Sequence, residues 1–174
     1  LVVGAVAGYY GGWWDSVLMR TVDIFYAFPY VLFAIVLMAL LSPGVVNVCI
    51  TIGILGWPGI ARIFRSSVLS VKENEYVDAA RALGASTPRI LFRHVAPNAI
   101  APMIVYSTMG VGGAILVEAA LSFLGMGVPV GEPSWGNLLN EARSLMTVAP
   151  WIMIFPGLAI LITVLAFVLL GDGL

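Results

Sequence analysis

Four stretches of the chain carry no charged side chain: residues 1–14, 24–61, 95–117 and 144–171. A membrane-crossing helix needs ~20 mostly apolar residues, each rising ~1.5 Å through a hydrocarbon layer ~30 Å thick. Inside that layer the helix must satisfy its own backbone N–H and C=O groups, because no water does so. Three of the four runs are long enough, and 24–61 has room for two crossings. The balance of residues agrees: 61% are hydrophobic and 10% charged, eight basic and nine acidic among 174. A soluble domain carries roughly 25% charged residues, so an ordinary soluble enzyme is excluded. Disordered chains are apolar-poor, and a net charge of −1 excludes a basic nucleic-acid binder. Cys49 is the only cysteine, which rules out a disulfide framework or a multi-cysteine metal site. An integral membrane protein remains.

Ser42-Pro43-Gly44 interrupts the longest run and is a natural chain reversal. The expected spans are 28–41, 45–61, 95–117 and 149–170, with residues 1–14 as part of another. The chain starts within an apolar run and stops at Gly171-Asp172-Gly173-Leu174 without a polar tail, as a segment of a longer protein would. The expected fold is an all-α membrane bundle of about five helices, the first truncated, forming one domain over 1–174. A loop at 62–94 and another at 118–148 join its spans. With alternating crossings, Arg20, Arg62, Arg65, Lys72, Arg81, Arg89 and Arg93 share one side and Arg143 lies on the other. Positive charge collects in short cytoplasmic loops, which puts 62–94 in the cytoplasm.

That loop is punctuated like two short helices. Ser70 and Glu73 have the spacing of a capping box. Tyr76, Ala79, Ala80 and Leu83 then form one apolar stripe, and Gly84 is a helix stop. Thr87-Pro88 restarts a helix whose Ile90, Leu91 and Val95 face inward. The stripe either packs on the bundle or membrane surface, or docks a cytoplasmic partner. Its alanines favour the second, since a membrane-surface helix shows Leu, Phe or Trp there.

The segment EYVDAARALGASTPRILFRHVAPNAI resembles the EAA loop of permease subunits of bacterial ATP-binding-cassette importers. Asp78-Ala79-Ala80, three residues, Gly84, nine residues and His94-Val95-Ala96-Pro97 keep every spacing of that pattern. Asp78 replaces its Glu, His94 its Ile and Ala96 its Leu, and a histidine after arginine is similar to the dipeptide/oligopeptide/nickel branch. Residues 8–29, 118–139 and 150–174 resemble the same branch.

The resemblance implies a type I importer permease in the bacterial inner membrane, multi-pass. It implies a second permease subunit, a different chain in this branch, with two cytoplasmic ATP-binding subunits and an extracytoplasmic substrate-binding protein. The cargo would be short peptides, nickel or another small solute. Glu75, Tyr76, Asp78, Ala79, Ala80, Arg81, Leu83, Gly84 and Pro97 would form the segment that couples to the ATPase. ATP is expected to be used by that partner, because Lys72 is the only lysine and no glycine-rich phosphate loop precedes it. No cofactor, metal site or catalytic residue is expected in this chain, and His94, the sole histidine, reads as structural.

Asn47, Thr51, Asn98, Ser107 and Thr108 are the uncharged polar groups able to line a path. Glu118 follows 23 residues without charge and reads either as interfacial or as part of that path. Cys49 reads as a small packing residue. Pro58, Pro102 and Pro156 can kink helices, and Gly110, Gly112 and Gly113 permit close helix approach. In the outer loop, Ser134 caps a helix whose Leu138, Leu139, Ala142, Leu145 and Met146 form a stripe. Asn140 and Glu141 lie on that helix, where a binding protein or an outer gate would make contact. The rival functions are a secondary transporter, which would need internal symmetry and buried carboxylates, and a membrane assembly subunit without a pathway.

Overall fold

The apolar runs fold as helices, but charged residues do not end them where a count of charges would. The structure, a computed structural model, describes residues 1–174. Its helices are α1 (Val2–Tyr10), α2 (Gly12–Tyr26), α3 (Tyr30–Leu41), α4 (Val45–Val71) and α5 (Glu75–Ala82). They continue as α6 (Thr87–Ile90), α7 (Ala101–Phe123), α8 (Trp135–Ala142) and α9 (Trp151–Asp172), with no strand. A π-turn, Leu91–Val95, extends α6, and a 3-10 turn, Arg143–Leu145, extends α8.

Three helices are long and apolar enough to cross a membrane: α4, α7 and α9. Joined, α2 and α3 also meet that test, but they are bent by 83° at their break. The twelve residues of α3 reach only ~18 Å, short of a hydrocarbon layer on their own.

Several boundaries move from those expected. The helix starting at Val45 runs to Val71 rather than ending at residue 61, because Arg62 and Arg65 find acidic partners on α2. Residues 15–23, between the first two expected spans, are accordingly helical. Ser70 lies in the last turn of α4, so the Ser70–Glu73 capping box does not form; Asn74 precedes α5 and makes no side-chain cap. The crossing expected at 95–117 lies at Ala101–Phe123, which puts Pro102 in its first turn, where a missing N–H costs no helical bond, and Glu118 inside it. The two loops therefore shift to 72–100 and 124–150.

The chain divides into two units. The first comprises Leu1–Ala27 with Gly56–Ser107. Its core joins Ala5 of α1, Phe64 and Val68 of α4, Val77 of α5, and Ile90, Leu91, Val95, Ala99 and Met103. Gly4 and Gly8, one turn apart, lay α1 directly on the α4 backbone. A Cβ at Gly8 would stand 2.8 Å from the Arg65 carbonyl oxygen, and one at Gly4 would strike that of Ala61.

The second unit comprises Phe28–Leu55 with Thr108–Leu174. Ala34, Met38, Val48, Leu55 and Leu121 form its core. Ser42 adopts φ 67° in the turn between α3 and α4, and the Gly44 N–H donates to the Gly127 carbonyl at 2.9 Å. Gly112 packs on Val164 of α9, whereas Gly110 and Gly113 face open space and make no close approach. Cys49 is exposed on α4 rather than packed within the chain.

Candidate functional site

In the first unit, α5 stands on one residue. Val77 is fully buried, while Glu75, Tyr76, Asp78, Ala79 and Leu83 are exposed and Ala80 is half-buried. The expected stripe therefore does not serve as this chain's seat for the helix. A single β-branched side chain anchors α5 and leaves Tyr76, Ala79 and Leu83 outward, Leu83 at 88% exposure.

The helix ends as Gly84 requires. The Gly84 N–H donates to the Arg81 carbonyl at 3.0 Å and the Ala85 N–H to the Ala80 carbonyl at 3.1 Å, the Schellman pair, with Gly84 at φ 79°. Asp78 and Arg81 form an ion pair at 2.8 Å, with side chains 65% and 56% exposed. Such a pair contributes at most about 1 kcal/mol, so its charges remain available to a neighbour.

Past Gly84, the second helix begins after Ser86 and widens into the π-turn, where the Ala96 N–H donates to the Leu91 carbonyl at 2.8 Å. Ile90, Leu91 and Val95 face inward as expected. Pro97 is exposed beyond the turn. Asn98 donates to the His94 carbonyl at 2.6 Å and lines a crevice of about 410 Å³ with Ser66, Ser67 and Ser70. Ser107 is exposed on α7.

The contacts that hold this unit's helices together join residues far apart in the chain and were not among those expected. Arg65 Nε donates to Asp15 Oδ1 at 2.5 Å and a second guanidinium N–H to Asp15 Oδ2 at 2.5 Å. Arg62 pairs with Asp23 at 2.8 Å and lies over the Tyr26 ring, 4.4 Å from its centroid. The Lys72 ammonium donates to the Gly8 carbonyl at 2.9 Å. The available signals were Gly4-x-x-x-Gly8 and the three-residue spacing of Arg62 and Arg65, one helical turn on one face.

The second unit holds a cavity of about 430 Å³ lined by Glu118, Ser134, Trp135, Leu138, Val45 and Val128, among others. Ser122, one turn along α7, donates to Glu118 Oε1 at 2.7 Å and accepts from the Val128 N–H at 3.0 Å. Ser134 caps α8 as expected, accepting the Asn137 N–H at 3.0 Å. The α8 stripe is only partly inward: Ala142 is buried and Leu139 half-buried, whereas Leu138, Leu145 and Met146 are exposed, and Gly136 and Asn137 are the other buried residues of the helix. The physical reason is close approach, since a Cβ at Gly136 would come within 2.6 Å of Ser122 Cβ.

Asn137 clamps the loop before α8, its amide facing the carbonyls of Val128 (3.3 Å), Pro129 (3.0 Å) and Glu132 (3.0 Å). Replacing it with alanine leaves these acceptors short of a donor and is expected to cost ~1–3 kcal/mol. Limited proteolysis would register this as faster cleavage within residues 124–134; an unchanged rate would mean the clamp does not hold the loop. Elsewhere in this unit, Asn47 donates to the Leu41 and Ser42 carbonyls at 2.7 and 3.0 Å. Thr51 is buried against Met38, and Thr108 is half-buried.

Residues 1–174 match the family described as binding-protein-dependent transport system inner membrane component. The chain is 46% identical over 172 residues to the glutathione transport system permease protein GsiD of Pectobacterium atrosepticum, covering 99% of this chain and 57% of that protein. It is 46% identical over 166 residues to the same-named protein of Escherichia coli O6:K15:H31, covering 95% and 55%. To the dipeptide transport system permease protein DppC of Alkalihalophilus pseudofirmus it is 45% identical over 172 residues, covering 99% and 57%. The chain thus spans a little over half the length of these relatives.

Proposed function

Because the chain belongs to the family of binding-protein-dependent transport system inner membrane components, we propose that it is a permease segment of an ATP-driven importer of short peptides. Its helices line part of the translocation path, and α5 with Gly84 and Pro97 receives the movement of a cytoplasmic ATPase. The other subunits are a second permease, two ATP-binding subunits and an extracytoplasmic binding protein. The loop carrying α5 lies on the cytoplasmic side, and residues 1–174 act as one membrane domain.

The observation that carries this reading is the inverted burial of α5. A solitary helix would turn its apolar side chains into its own core, yet this one buries Val77 and presents Tyr76, Ala79 and Leu83. That face fits a partner's groove, and the glycine cap keeps the helix short and stiff. The cargo class rests on relatives named for transport of glutathione and of dipeptides, both short peptides.

The test is reconstitution of the transporter containing this chain in liposomes, with ATP hydrolysis and uptake of alanyl-alanine measured together. Hydrolysis stimulated by a peptide-loaded binding protein, with uptake, is the expected result; ATP-independent uptake would sink the reading. A valine at position 84 meets no steric neighbour but must adopt φ 79°, which costs ~1–2 kcal/mol. Gly84→Val is therefore expected to lower uptake about tenfold while membrane insertion persists. Uptake at the original rate would remove the lever role of α5.

A further inference from the structure

We propose that Glu118 and the cavity it lines are a subsite for the free ammonium group of the peptide cargo, a role that rests on the importer reading above. An ionisable side chain within a membrane-crossing helix is costly and calls for a named partner. Glu118 lies five residues before the end of α7, so about 7.5 Å along the axis from that end, and is half-buried. One oxygen accepts the Ser122 hydroxyl at 2.7 Å. No cation of this chain reaches it: the three ion pairs are Arg62–Asp23, Arg65–Asp15 and Arg81–Asp78, all in the first unit. In the second unit Arg143 is the only basic residue, against Glu118, Glu132, Glu141 and Asp172. The carboxylate is thus held in place by a neutral donor and keeps acceptor capacity for a cation that the chain does not supply.

The cavity fits a small organic cation better than a metal. Its volume, about 430 Å³, falls in the ~300–1,000 Å³ range of small-molecule sites. Its walls are mostly apolar, with Val45, Val128, Trp135 and Leu138 around one carboxylate and the Ser134 hydroxyl. A divalent ion wants several oxygen, nitrogen or sulfur ligands, and no histidine, cysteine or second carboxylate lines this space. One fixed anion among apolar walls orients an α-ammonium group and leaves the cargo's side chains unselected. A carrier of varied short peptides needs such a site, because the amino terminus is the group they share.

The test uses the assembled transporter in liposomes with saturating binding protein, and alanyl-alanine and N-acetyl-alanyl-alanine as probes. Glu118→Gln keeps the side-chain shape and the Ser122 contact but removes the charge. It is expected to lower alanyl-alanine uptake about tenfold or more while the subunits still co-purify. In the wild type, a hydrophobic carbodiimide is expected to modify Glu118, read by mass spectrometry, and alanyl-alanine to slow this where the acetylated probe does not. Unchanged uptake by the Glu118→Gln transporter would overturn the proposal. So would equal protection by both probes, or a Glu118 already unreactive in the assembled complex without peptide, since a partner permease's cation would then hold it. Should the wild type import no peptide at all, the importer reading itself falls, a result distinct from these.

Discussion

Leu83→Glu is expected to leave the fold intact and to abolish the proposed docking of an ATPase on α5. The leucine is 88% exposed and touches none of the first unit's core, so its replacement should shift stability by no more than about 0.5 kcal/mol. In a partner's groove the account reverses. Burying a leucine contributes ~1.5–3 kcal/mol, and a carboxylate forced into the same apolar site adds its own desolvation cost. An affinity loss of about 100-fold or more follows. Pull-down of the ATP-binding subunits by detergent-solubilised protein, beside a thermal melt, reads both quantities. Val77→Ala is the mirror case: it empties a fully buried site at the base of α5 and should lower stability before it lowers affinity. If the Leu83→Glu protein captured the ATP-binding subunits at unchanged affinity, the exposed face of α5 would not be the docking face.

Gly8→Val is expected to lift α1 off α4. The new Cβ would lie 2.8 Å from the Arg65 carbonyl oxygen and 2.9 Å from Val68 Cγ1, and both belong to a helix that cannot retreat alone. Relief requires moving α1 outward, which also breaks the bond from Lys72 Nζ to the Gly8 carbonyl. Overpacking costs ~1–3 kcal/mol and the lost bond ~1 kcal/mol, so about 3 kcal/mol in all is reasonable. The melting temperature should fall by roughly 6–12 °C for a chain of this size. Gly113→Ala offers the contrast. Nothing lies within 4 Å of its added Cβ, and the helix gains ~0.5–1 kcal/mol from the lost backbone freedom. Equal melting of the two variants would mean that the α1–α4 contact contributes nothing.

Much of the local structure of the two loops was legible in the residues. Gly84 marks a left-handed stop, Ser134 caps α8, and Ile90, Leu91 and Val95 turn inward. Each rule acts over a few residues, through one backbone conformation or one hydroxyl. The seat of α5 was not legible. Tyr76, Ala79, Ala80 and Leu83 form an equally good stripe by spacing, and only the position of Phe64, Val68 and Ile90 in space selects Val77 as the buried residue.

The sequence alone determined that this is a helical inner-membrane chain, because the transfer of side chains from water to hydrocarbon sums along the chain. It also determined the family, through spacings that need no structure. The tertiary structure decided where the helices stop. Arg62 and Arg65 stay helical because their acids stand 39 and 50 residues away along the chain, and Glu118 lies within α7, bonded to Ser122. Whether a charge ends a helix or belongs inside one depends on what compensates it. For these two arginines that compensation exists only in three dimensions.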